Sequence, residues 1–293
     1  MAGAAAPSLF DQAVRGWRGY VLIALIALTS SLFGAASLPV MDRDEARFAQ
    51  ATRQMVETGN YVRIRVQDDD RNKKPIGIHW LQAAAVHLTE PFTDSDNEIW
   101  PYRLPSALGA VLAALAAFWA GTALLGRRAA FLGAALFASS VLLGFEGMTA
   151  KTDAVLAGFT TLAMAALARL SAQRIWSAGA LAGIVASSET SAGEAPALHA
   201  GASIGRDAAS PPPLPPPLKG RGLALLFWFA LGCGVLVKGP ITPLVALLTL
   251  LALGLWEKNW AWMKPLRWWP GPLIAALIIA PWMIAIGLAT DGQ

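Results

Sequence analysis

Seven stretches without a charged side chain punctuate the chain, at 20–38, 104–126, 129–145, 154–168, 222–237, 239–256 and 268–290. Most approach the roughly 20 residues that a helix needs to cross about 30 Å of hydrocarbon. The pattern predicts an all-α, polytopic membrane protein of about seven transmembrane helices, with the two shortest runs extended by a turn into their flanks. The apolar part of 175–188 is short and runs into a polar segment, so it is not counted. The first run exceeds the 7 to 15 apolar residues usual for a signal peptide, so a retained helix is expected.

Between the first two runs, 39–102 is polar but patterned. Ala46, Phe48, Ala49, Met55 and Val56 give helical spacing over 45–57, which Gly59-Asn60 ends. An extended piece at 61–66 and a solvated turn at 68–72 lead to a second helix over 76–88, where Trp80 suits an interface. Both helices are expected to lie along the membrane surface. The stretch 187–222 is different: Ser, Ala, Gly and Glu give way to Pro211-Pro212-Pro213-Leu214-Pro215-Pro216-Pro217. Such composition does not build a core, so a disordered, tolerated insertion is expected, with a ligand for a proline-binding domain as the alternative.

Composition agrees with the pattern. Hydrophobic residues make up 55% of the chain and charged ones 14%, against about 25% charged in soluble domains. The net charge of +4 calls for no nucleic acid, because the basic residues fall where topology uses them. With 1–19 in the cytoplasm, Arg15, Arg18, Arg127, Arg128, Arg169, Arg174, Lys258, Lys264 and Arg267 all face inward. The organisation that follows is a first helix at 20–38, a periplasmic loop at 39–102, helices two to four in 103–172, a cytoplasmic loop at 173–221 and helices five to seven in 222–290. Cys233, alone in an apolar run, makes no disulfide and suggests no thiol metal site.

On this topology the charges that anchoring does not explain gather on one face. They are Asp44, Glu45 and Arg47 after the first run, Lys74 ahead of Pro75, Asp153 at the outer end of the fourth run, and Lys238 between the fifth and sixth. Each has a plain alternative: a capping cluster for Asp44 to Arg47, an interfacial helix start at Lys74-Pro75, an N-cap at Asp153 and a snorkelling base at Lys238. Together they suit chemistry on a lipid-linked phosphate. Carboxylates could orient or deprotonate an acceptor, and cations could hold phosphate oxygens. A transporter or a non-catalytic membrane scaffold is the alternative class, the former calling for ionisable residues in the middle of several spans.

One further signal is the order of these motifs. Asp44-Glu45-Ala46-Arg47-Phe48-Ala49, Gly59-Asn60-Tyr61, Lys74-Pro75 with His79-Trp80, Arg103-Leu104-Pro105-Ser106, Thr152-Asp153 and Leu236-Val237-Lys238-Gly239-Pro240 follow one another. This order resembles the group of aminoarabinose lipid A transferases and protein O-mannosyltransferases, GT-C glycosyltransferases that use polyprenol-phosphate sugars. The resemblance implies a bacterial inner-membrane enzyme with a periplasmic site. It would move a sugar from undecaprenyl phosphate to a lipid, glycan or protein acceptor by an inverting single displacement. It assigns catalytic roles to Asp44, Glu45 and Asp153, and donor-phosphate binding to Lys74, Arg47 and Lys238. The lipid-linked sugar phosphate is the donor and no cofactor is called for. Many aminoarabinose transferases place an acid before the Lys-Pro pair; Lys73 stands there, so no metal is expected at that position and lipid A aminoarabinose transfer is not the expected specific activity. Relatives continue through more spans and a soluble outer domain, so the chain is expected to be part of a longer protein, with 291–293 opening the remainder.

Overall fold

Each of the seven apolar runs forms helix, but only some at the length the pattern suggests. The structure is a computed structural model that describes residues 8–71, 74–93, 98–192 and 220–290. Its helices are α1 (Leu9–Val14), α2 (Arg18–Leu32), α3 (Arg43–Thr58), α4 (Gly77–Thr89), α5 (Trp100–Leu124), α6 (Arg127–Ala138), α7 (Val141–Gly147), α8 (Asp153–Ala192), α9 (Gly220–Lys238), α10 (Ile241–Glu257) and α11 (Pro270–Ala289). Two short strands, β1 (Arg65–Val66) and β2 (Asp69–Asp70), pair antiparallel between α3 and α4. The helices α5, α9, α11 and the Asp153–Gln173 part of α8 are long and apolar enough to cross a membrane, and α6 with α7 makes a fifth if the bent pair is one span. The helices of the first and sixth runs, α2 and α10, are shorter, so the expected count of seven is not reached by length alone.

Three departures have local causes. The first helix stops at Leu32 instead of Leu38 because the carbonyls of Ala35, Leu38 and Pro39 turn aside to receive the Arg103 guanidinium. The third run breaks at Ser139-Ser140, bending by 57°. There the Ser140 hydroxyl caps α7 by accepting from the Leu143 N–H, and the Ser30 hydroxyl donates to the Ala138 carbonyl at 2.7 Å. Those contacts serve backbone groups that a helix end leaves unpaired. The fourth helix runs on to Ala192, so the expected loop at 173 begins later. The proline-rich stretch and Lys73 lie outside the described residues.

Small residues hold the bundle together. Along α5 and α8, a Cβ on Gly109 would meet the Val155 backbone at 2.6 Å, and one on Gly158 would meet the Gly109 carbonyl at 2.7 Å. Backbones this close gain dispersion contacts where lipid offers no hydrophobic drive. Meanwhile Leu132, Leu136, Leu142, Leu248, Leu277 and Ile284 stay exposed on the outside of the helices. Such an apolar exterior matches a hydrocarbon surround.

The first loop packs as part of this bundle. Ala51 and Met55 of α3 share a buried cluster with Ile64, Ile76, Trp282 and Ile286. Trp80, expected at an interface, instead packs on that cluster and donates its indole N–H to the Tyr61 carbonyl at 2.8 Å. Phe48 and Ile78 meet Val155 of α8 and Val237 of α9 in a second cluster. This seats α3 and α4 at the end of the bundle where α8 starts and α9 finishes. Arg127, Arg128 and Arg169 lie elsewhere, with α1 and the C-terminal part of α5: Arg128 pairs with Asp11, and Arg169 donates to the Trp119 carbonyl.

Candidate functional site

Helix α3 turns two neighbouring carboxylates to different tasks. Asp42 is its N-cap, accepting from the Asp44 N–H at 3.0 Å, so Asp44 is not needed for capping. Successive residues on an α-helix point about 100° apart. Asp44 therefore faces outward to a cavity while Glu45 faces the bundle.

Glu45 and Arg103 are both completely buried and form a bidentate pair, with Nε to Oε1 at 2.8 Å and Nη2 to Oε2 at 3.2 Å. Arg103 also donates to the carbonyls of Ala35 (2.7 Å), Leu38 (2.8 Å) and Pro39 (3.2 Å), and Glu45 accepts from the Ala150 N–H at 2.9 Å. Every N–H of this guanidinium is thereby engaged. The pair ties the exit of α2, the start of α3, α5 and the α7–α8 turn to one point. Arg103 was legible only as a motif residue, and its partner Glu45 does not reach the cavity.

The cavity has a volume of about 110 Å³ and is lined by Asp44, Arg47, Phe48, Ala51, Ile64, Arg71, Lys74 and His79. Three cations surround the Asp44 carboxylate: Lys74 at 3.7 Å, Arg47 at 3.8 Å and Arg71 at 3.9 Å. All four side chains are between a third and half exposed, and none of the three separations is as short as a direct N–H···O hydrogen bond. The lining thus carries one negative and three positive charges, with donors still free to turn. Lys74 also sits 4.6 Å from the Phe48 ring centroid, a cation–π placement that steadies it.

His79 forms the floor. It is 2% exposed, and burial together with the Lys74 and Arg71 charges pushes its pKa down to about 3. Its imidazole is neutral at physiological pH.

Asp153 and Lys238 pair directly with each other, joining the start of α8 to the end of α9. They do not line the cavity, but flank the Val155–Val237 contact behind Phe48. Thr152, not Asp153, receives the Leu156 N–H at the head of α8, so the N-cap alternative for Asp153 does not hold. Beside them Lys151 bonds Asp42 at 3.2 Å and lies 3.5 Å from Glu146. Of the six residues singled out from the sequence, the cavity brings together Asp44, Arg47 and Lys74. It adds Arg71, which the sequence places in a solvated turn, and His79, which the motif order includes without a role.

Gly77 explains how Lys74 is placed. A Cβ there would lie 2.6 Å from the Leu236 carbonyl, so only glycine lets the head of α4 press on the last turn of α9. That contact sets the Lys74-Pro75 segment beside α3.

Known proteins bear out the resemblance that the order of motifs carries. The family described as dolichyl-phosphate-mannose-protein mannosyltransferase matches residues 73–188. The chain is also 26% identical over 252 residues to the undecaprenyl phosphate-alpha-4-amino-4-deoxy-L-arabinose arabinosyl transferase of Aeromonas hydrophila, covering 85% of this chain and 37% of that protein. The corresponding Aeromonas salmonicida protein is 26% identical over 253 residues, with the same 85% and 37% shares. Among solved structures, apo ArnT from Cupriavidus metallidurans superposes with a TM-score of 0.69 at 20% identity, covering 92% of this chain and 42% of that one. The same protein bound to undecaprenyl phosphate gives 0.68 at 20% identity, over 93% and 41%. The chain therefore shares that fold and spans well under half the length of these relatives.

Proposed function

We propose that this chain carries the donor side of a glycosyltransferase site, moving a sugar from undecaprenyl phosphate to a lipid, glycan or protein acceptor at the periplasmic face of a bacterial inner membrane. The observation that carries the reading is the surplus of charge in the cavity: three cations share one carboxylate without closing on it. A lipid phosphate supplies the missing negative charge and accepts charge-assisted hydrogen bonds from Lys74, Arg47 and Arg71. A similar fold with undecaprenyl phosphate bound supports the choice of ligand.

In this scheme the acceptor oxygen attacks the anomeric carbon as the carbon–phosphate oxygen bond breaks, and the configuration inverts. The electron pair leaves on the lipid phosphate, where the three cations stabilise the developing charge. Asp44 takes the proton of a hydroxyl acceptor, or orients an acceptor that is already a phosphate. The Asp153–Lys238 pair fixes the α8–α9 end of the site, and Glu45 acts through Arg103 to hold the turn of α3 that presents Asp44. A transport path would call for ionisable groups at mid-span, whereas the pocket charges of the described residues sit near the start of α3 and in the segment between β2 and α4.

The test is transfer of labelled sugar from the undecaprenyl phosphate donor by the intact protein in nanodiscs. Asp44→Asn is expected to lower turnover by about 100-fold or more, as loss of a catalytic base does. Lys74→Ala is expected to weaken undecaprenyl phosphate binding by about 10-fold or more, the worth of a charged hydrogen bond. Parental turnover and binding in correctly inserted variants would sink the site assignment.

A further inference from the structure

The hydrogen bonds behind His79 fix which of its ring nitrogens carries the hydrogen. Gln82, fully buried on α4, sits with its side-chain nitrogen 3.3 Å from the carbonyl oxygens of Tyr102 and Ala150. Carbonyls only accept, so this nitrogen is the amide NH2 and the Gln82 oxygen points the other way, 2.7 Å from the Thr52 hydroxyl. An amide oxygen only accepts too, so the single Thr52 proton goes to Gln82. Thr52 Oγ1 is also 2.8 Å from His79 Nδ1 and has no second proton to give. Nδ1 must therefore carry the hydrogen and donate it to Thr52. In a neutral imidazole the other nitrogen, Nε2, is then an acceptor.

The chain of donors and acceptors ends at two backbone carbonyls, which fix its direction. Thr52, His79 and Gln82 are all at most 2% exposed, so water does not compete for these bonds. The result is an uncharged acceptor on a side chain that lines a cavity whose other polar groups are three cations and a carboxylate. A phosphate has no use for such a group: at neutral pH it offers oxygens, not hydrogens. An ammonium would be repelled by Arg47, Arg71 and Lys74. A hydroxyl is the donor that fits.

We propose that His79 Nε2 accepts a hydrogen bond from a ring hydroxyl of the donor's sugar, orienting the sugar while the neighbouring cations hold its phosphate. The proposal builds on the donor-site reading and adds a specificity-determining residue to it. The Gln82–Thr52 relay is its positioning shelf: it denies His79 the tautomer that would put a hydrogen on Nε2.

Two near-isosteric substitutions separate the nitrogens. His79→Asn keeps an amide group near the place of Nδ1, able to bond Thr52, and removes everything at Nε2. His79→Gln keeps an amide oxygen near the place of Nε2 and gives up the Thr52 contact. With the intact protein in nanodiscs, affinity for undecaprenyl phosphate itself, which has no sugar, is measured beside kcat and KM with the sugar-loaded donor. His79→Asn is expected to bind undecaprenyl phosphate like the parent but to lose about 10- to 100-fold in kcat/KM, the worth of one buried hydrogen bond to substrate. His79→Gln is expected to recover most of that loss. The proposal is overturned by a fully active His79→Asn, by a His79→Gln as impaired as His79→Asn, or by an equal loss of undecaprenyl phosphate affinity in both, which would make His79 a support for the cavity's shape. Lys74→Ala is the control for the underlying reading. If it leaves undecaprenyl phosphate affinity untouched, the donor site and this proposal fall together; if it lowers affinity while His79→Asn turns over normally, only this proposal falls.

Discussion

Asp44 and Glu45 differ by one methylene and one position, yet one is offered to a cavity and the other is sealed against Arg103. The sealed pair gives a stability prediction. Arg103→Leu would leave a carboxylate buried without its counter-charge, a loss of about 3–5 kcal/mol, read as a large drop in folded yield and thermal midpoint in detergent. Replacing both partners together, Glu45→Leu with Arg103→Leu, is expected to recover part of it, since no lone charge remains. His79 gives a prediction in pH. Its pKa falls from 6.5 in the unfolded chain to about 3 in the fold, so below pH 6.5 the unfolded state takes up a proton that the native state refuses. Stability from this residue is full above pH 6.5 and is lost progressively as pH falls toward 3. At pH 5 the loss is about 2 kcal/mol by linkage. Thermal midpoints at pH 7 and pH 5 should therefore diverge less in His79→Gln than in the parent; an identical acid shift would contradict a buried neutral imidazole.

At the level of elements, the site depends on close backbone contact more than on loop sequence. Gly77 lets α4 lie against the Leu236 carbonyl of α9, and Gly109 with Gly158 brings α5 onto α8. Gly77→Val is expected to push the head of α4 outward and move Lys74, lowering undecaprenyl phosphate affinity by about 10-fold, as loss of one charged contact does. Gly109→Val acts deeper in the bundle, where overpacking costs about 1–3 kcal/mol, so its signature is a lower thermal midpoint. The sequence showed α3 and α4 within a residue or two, because Phe48, Met55 and the Gly59 stop leave a helical imprint. It did not show the break in α6–α7, since Ser139-Ser140 reads as mildly polar until Ser30 and the Ala138 carbonyl meet.

Across the whole molecule, the pocket lies at the end of the bundle where α8 begins and α9 ends. The proposed orientation puts that end outside. A Gln50→Cys variant in a Cys233→Ser background should accordingly react with a membrane-impermeant maleimide from the periplasmic side, Gln50 being exposed on α3; labelling only after the membrane is opened would reverse the topology. The sequence by itself determined the class: seven charge-free runs specify a helical membrane protein, because hydrocarbon forces backbone groups to pair within helices. It also located Asp44, Arg47 and Lys74, whose charges had no place in simple anchoring. Only the tertiary structure separated Glu45 from Asp44, paired Asp153 with Lys238, and brought Arg71 and His79 to the cavity. Those assignments depend on which way a helix is rotated and on what packs behind it, and adjacent residues in sequence carry no record of either.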